Sequence, residues 1–83
     1  VVVRPLAAPE REAHGVDGGL LVERVSGAAA KAGLRPGDVI LAFGNEPVES
    51  VDELASLVDD AEGRVAVLVK RGDATIYVPV EIG

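Results

Sequence analysis

The chain has 83 residues, 48% of them hydrophobic, with one Phe, one Tyr, no cysteine and a formal net charge of −6. That length bounds one domain, with a core near the lower limit of self-sufficiency. The acidic balance argues against a Lys/Arg footprint on nucleic acid, the missing cysteines exclude disulfides and thiolate metal sites, and the apolar runs are too short to span a bilayer.

No Lys/Arg-led signal segment opens the chain. Methionine is absent even at position 1, which predicts a piece of a larger protein, with any signal or anchor upstream. Val1 to Leu6 reads as a strand, β-branched and closed by Pro5. Ala7 to Gly19 is polar, with one helical turn expected around Pro9 to Glu12, where proline suits the first helical position. Leu20 to Val25 is a second strand. A short helix, Ala28 to Ala32, follows, with Ser26 as its expected cap and Gly33-Leu34 as its stop. Pro36-Gly37 forms a turn into a third strand, Asp38 to Phe43, and Gly44-Asn45 turns the chain back at Pro47-Val48.

The one long helix is expected from Val51 to Ala61. Ser50 and Glu53 form a capping box in which the serine serves the Glu53 N–H and the glutamate reaches back to Ser50. Its apolar face is wide enough for two clients. Leu54, Leu57 and Ala61 serve the core, while Val51, Ala55 and Val58 point elsewhere. Arg64 to Lys70 and Thr75 to Ile82 alternate as the last two strands, joined by Arg71-Gly72-Asp73-Ala74. The result is one α+β domain over 1–83, a small barrel or sandwich of five to six strands capped by one short and one long helix.

With these elements placed, Gly18-Gly19-Leu20-Leu21-Val22, the run from Ala28 through Ala32-Gly33-Leu34-Arg35-Pro36-Gly37-Asp38-Val39-Ile40, the Pro47-Val48 return and the closing hairpin resemble a PDZ domain of the bacterial, circularly permuted kind. The likeness is greatest to the second PDZ of HtrA (Deg) serine proteases and covers nearly the whole chain. Two departures stand out. The family has proline where this chain has Gly27, a small loss of turn stiffness, and the family's carboxylate-binding loop lies just before the first strand, so Val1 falls inside its end.

The resemblance implies a peptide-recognition module for C-terminal or extended apolar segments. The peptide adds as a strand along Val1, Val2 and Val3, and Val51, Ala55 and Val58 line the opposite wall. Valine at position 51, where many relatives carry a histidine, implies an apolar ligand residue there. Val1 and Val58 surround the last ligand side chain, and Asp59 and Asp60 disfavour acidic tails. Ser26–Ile40 is expected to lie away from the groove and to be insensitive to ligand. The implied parent is a serine endopeptidase of the periplasm or cell envelope, with the domain serving substrate capture, regulation or assembly in protein quality control. Alternatives are the PDZ of a site-2 intramembrane metalloprotease or secretion protein, and a spacer that joins domains without binding peptide. No cofactor, metal, nucleic acid or membrane insertion is implied.

Other residues read as structural. Arg71-Gly72-Asp73 is a hairpin turn, and His14, the single histidine, is solvated in a polar stretch. Ser26, Ser50 and Ser56 lack a base partner, and Glu10/Glu12, Asp52/Glu53 and Asp59/Asp60 are solvated charge pairs, so an isolated enzyme is not supported.

Overall fold

A computed structural model describes residues 1–82. The elements run β1 (Val2–Pro5), α1 (Ala8–His14), β2 (Leu20–Arg24), α2 (Gly27–Ala32), β3 (Val39–Phe43), β4 (Glu46–Pro47), α3 (Val51–Asp60), β5 (Gly63–Arg71) and β6 (Ala74–Ile82). All strand pairs are antiparallel, in the order β1-β2-β3-β5-β6, with β4 attached to β3. The α+β class and the hydrophobic alternation of β5 and β6 are as expected. Val67, Val69, Val78 and Val80 face inward, while Thr75, Tyr77, Pro79 and Glu81 face solvent. Pro79 is tolerated because β6 is an edge strand, where a missing N–H breaks no ladder on the open side.

The core joins the inner sheet face to single anchors from the loops and helices. Leu20, Val22, Ile40 and Phe43 come from β2 and β3, Leu34 and Val48 from connections, and Leu54 from α3. Each such side chain contributes about 1.5–3 kcal/mol when fully buried. With Phe43 its one aromatic member, the core gains its stability from many small valines rather than a few large groups.

Four local expectations need correction. The helical turn near Pro9 is a full helix, α1, one of three helices among the described residues. It buries no side chain of its own and is held by polar contacts. The Glu10 carboxylate accepts the Ala7 N–H at 2.9 Å, Arg11 donates to the Leu6 carbonyl at 2.7 Å, and Lys70 donates to the His14 carbonyl. His14 itself is half-buried rather than solvated. The Ser26 hydroxyl makes no capping bond. Gly27, the residue after it, sits at φ +59, outside helical values, so the first N–H groups of α2 are not presented to the serine as a cap requires. A proline at this position, locked near φ −65°, would not fit that path.

At α3 the Ser50 hydroxyl accepts the Glu53 N–H at 3.1 Å as expected, but the Glu53 carboxylate reaches the Glu49 N–H at 2.8 Å instead of that of Ser50. The box is shifted by one residue. The stop of α2 holds: Leu34 and Gly33 donate to the Ala29 and Ala30 carbonyls, and Leu34 folds back into the core. The Arg35–Asp38 turn also closes, with the Asp38 N–H on the Arg35 carbonyl at 3.1 Å.

A polar pair lies inside the same turn. Asp38 is 2% exposed, and its carboxylate accepts the Arg35 N–H at 3.0 Å and Arg71 Nε and Nη2 at 2.9 and 2.7 Å. Arg71 also donates to the Gly33 carbonyl at 2.8 Å. Burial pushes the Asp38 carboxyl up, but the Arg71 and Arg35 bonds outweigh it and hold it below the usual range. The Arg71-Gly72-Asp73 tripeptide is therefore a structural hairpin whose arginine is engaged inside the fold.

Candidate functional site

β1 is a terminal strand of the sheet with a helix beside it. It pairs only with β2, and α3 lies beside it. Such an edge presents unpaired N–H and C=O groups that a further extended chain can use. The β1–β2 register shifts between Val2 and Val3, because Val2 faces Arg24 while Val3 faces Val22, leaving Glu23 as the extra residue of a bulge. Val3 turns inward and packs on the core, whereas Val1 and Val2 are 54% and 51% exposed.

On the helix side, Val51 is 42% exposed and Ala55 is exposed, so neither serves the core. Leu54 is buried. Leu57, Val58 and Ala61 are half-buried against it. The division expected of this wide face thus holds for five residues, and Val58 has both clients.

Val1 and Val58 meet in one apolar cleft of about 250 Å³. Phe43, Leu54, Val67, Val80 and Ile82 line it as well, together with Ser26, Ala28, Ala29, Leu34 and Ile40. This overturns one expectation. The Ser26–Ile40 segment does not lie away from this cleft, because α2 packs on β6, and Ser26, Ala28, Ala29, Leu34 and Ile40 are among the lining residues. Val2, Val3, Val51 and Ala55 are not part of the cleft; Val51 and Ala55 stand on the shallower stretch of α3 leading to it.

The edge strand carries one cation, Arg4. Its guanidinium donates to both Glu10 oxygens, at 2.7 and 2.8 Å, and stands 3.6 Å from Glu23. The Arg4 bonds, the Ala7 N–H and nearby charge hold the Glu10 carboxyl at about 2, against an ordinary 4.5. Glu10 was expected to be a solvated member of a charge pair. A group lowered in the folded state contributes its stability above the unfolded value and loses it as pH falls through the folded one. Acid unfolding of the native chain is therefore expected to steepen between pH 4.5 and about 2. Glu10→Gln should lose less of its melting temperature across that window than the native chain does. An unchanged acid slope in Glu10→Gln would show that the pair is open in solution.

Among the described residues, no group of three or more His, Cys, Asp or Glu is placed to hold a metal, and no helix is long and apolar enough to cross a membrane. What the arrangement can do is receive an extended chain: hydrogen bonds along β1, apolar contact on α3, and a recess for one terminal side chain.

Comparison with known proteins agrees with this geometry. The chain is 43% identical over 56 residues to zinc metalloprotease Rip1 of Mycobacterium tuberculosis, a match covering 68% of this chain and 14% of that protein. It is 36% identical over 70 residues to the periplasmic serine endoprotease DegP of Salmonella typhimurium, covering 82% of this chain and 15% of that one. The chain thus corresponds to a small part of these relatives. Among solved structures, the HtrA3 PDZ domain bound to a phage-derived ligand (FGRWV) superposes with a TM-score of 0.85 at 20% identity, covering 98% of this chain and 79% of that one. A family model described as PDZ domain matches residues 21–71. With more than half of its length matched, the chain belongs to the PDZ domain family, protein-interaction modules that carry no catalytic machinery of their own.

Proposed function

We propose that this domain binds C-terminal or extended apolar peptide segments by strand addition to β1, in the groove between β1 and α3. The observation that carries the reading is an open sheet edge beside an apolar helix stripe that leads into an apolar cleft. Main-chain bonds along Val1, Val2 and Val3 supply affinity without sequence choice, while Val51, Ala55 and Val58 select apolar side chains. Val51 has no hydrogen-bonding group, so the ligand residue opposite it is apolar too.

The likeness to periplasmic DegP supports a parent serine endopeptidase acting outside the cytoplasm. There the domain would capture substrate, regulate the protease or join its subunits in quality control. The likeness to Rip1 favours a second reading, the PDZ of a membrane-embedded metalloprotease. The parent chain separates them, by a Gly-x-Ser-Gly-Gly segment upstream in the first case or a His-Glu-x-x-His on an apolar helix in the second.

The binding reading is tested by titrating peptides with apolar ends, as free acids and as amides, while following backbone amide shifts. Shifts confined to Val1–Leu6, Val51–Asp60 and the rim of the cleft, weakened on amidation, are expected. Silence at millimolar peptide, with these 83 residues and with the chain extended upstream, leaves a spacer between domains as the function.

A further inference from the structure

We infer that the groove selects tails in which lysine or arginine alternates with the last apolar residues, with Asp52 and Asp59 as the residues that set this preference. The inference rests on the peptide-binding reading above and adds to it the charge of the ligand. Helix α3 carries Asp52, Glu53, Asp59 and Asp60 and no cation between Val51 and Asp60. At helical spacing, Asp52, Ala55 and Asp59 (i, i+3, i+7) share one stripe, directly beside the apolar groove stripe of Val51, Ala55 and Val58. Glu53 is turned to the cap through its bond to the Glu49 N–H. Asp60 lies about 100° further round from Asp59, away from β1.

Both Asp52 and Asp59 are exposed, and neither has an ion-pair partner among the described residues. Asp59 stands near the C-terminal end of the helix, where a carboxylate opposes the dipole, so the fold gains nothing from it.

The facing wall does not cancel this charge. Arg4 is held by Glu10 and Glu23, and Arg24, paired in register with Val2, is the one cation left over on β1 and β2. Two cations and two carboxylates leave that side neutral, and the α3 side negative. The two aspartates are about 10 Å apart along the helix, roughly three residues of an extended peptide. Flexible lysine stems on alternate ligand residues cover that distance. An acidic tail meets the same carboxylates as repulsion.

The test uses three fluorescently labelled peptides with a free carboxylate, ending in Lys-Val-Lys-Val, Gln-Val-Gln-Val or Glu-Val-Glu-Val, whose charged residues alternate with the apolar ones. Anisotropy titration at low salt should rank them Lys, Gln, Glu, with about three-fold in affinity for each lysine over glutamine. The spread should shrink as ionic strength rises. Asp52→Asn with Asp59→Asn should remove most of the ranking. Glu12→Gln with Asp73→Asn, the same change in net charge on surfaces away from the groove, should keep it. Equal binding of all three peptides overturns this inference alone. Loss of the ranking in the Glu12/Asp73 double variant also overturns it, since net charge would then be the cause. Failure of all three to bind overturns the peptide-binding reading and this inference with it.

Discussion

Replacing Arg71 by leucine is expected to remove about 3–5 kcal/mol of folding stability, the usual cost of leaving one half of a buried ion pair behind. For a domain of this size that is a large share of a total of about 4–12 kcal/mol. The asymmetry of the pair makes the arginine the sensitive half: the Asp38 side chain is 3% exposed, that of Arg71 31%. Without Arg71, Asp38 keeps the Arg35 N–H but loses its two charged bonds. Asp38→Asn should cost less, about 1–3 kcal/mol, because the freed guanidinium reaches water and still holds the Gly33 carbonyl.

The pH dependence of the two chains should have opposite sign. In the native chain Asp38 is held low, so its contribution is present above the unfolded value and fades on acidification. In Arg71→Leu burial is left as the dominant influence and raises the group, so part of the deficit is recovered as pH falls. Urea midpoints at neutral and acidic pH measure both effects. A loss below about 1 kcal/mol, the size of an exposed pair, with no change of pH slope would mean that water reaches Asp38.

Gly19→Ala is expected to be comparably damaging, for a steric reason. Gly19 is buried at φ +110, and a Cβ there would lie 2.9 Å from Val39 Cγ1 and 3.0 Å from the Ile40 carbonyl oxygen. Val39 is fully buried and the carbonyl is backbone, so neither yields cheaply. Positive φ costs an alanine about 1–2 kcal/mol and overpacking about 1–3, together roughly 2–5 kcal/mol. The neighbouring glycine is the control. A Cβ on Gly18 would meet only the flexible Glu49 side chain, at 3.3 Å, and its φ is not positive. Gly18→Ala should therefore stay within about 1 kcal/mol, in the range of ordinary surface changes. Thermal unfolding of the two variants decides it. Equal melting temperatures would mean that the β2 entry shifts to accept the methyl group.

These two sites differ in how far they can be read from the chain. Gly18-Gly19 stands out as part of the pattern resembling a PDZ domain, yet nothing local says which glycine is indispensable. Asp38 reads as the start of a strand. Its partner is 33 residues away, in a hairpin that a local reading assigns to turn formation alone. The same limit applies to α1. Pro9 marks its first turn, but the rest is held by Arg4, the Leu6 carbonyl and Lys70, contacts that no periodicity records.

The proposed binding face is legible in outline. Spacing sets Val51, Ala55 and Val58 apart from the core-facing residues of α3, although Val58 also packs on the core, and Val1 to Val3 read as a strand. The cleft extends further than the spacing of these residues indicates. Its wall from α2 exists because that helix packs on β6, at the far end of the chain, a contact between segments that are independent in sequence.

The sequence by itself determined the elements whose causes lie within one turn or one strand. These are the Gly33 stop, the Ser50 cap, the alternation of β5 and β6, the amphipathic α3, and the family pattern from Gly18 to Ile40. Tertiary structure alone decided which sheet edge lies beside α3, which carboxylate is buried, and which small residues of α2 share a cleft with Val1 and Val58. The reason is physical. Hydrogen bonds within a helix or turn join residues a few positions apart, whereas burial, ion pairing and the walls of a groove come from segments that meet only after the sheet has ordered.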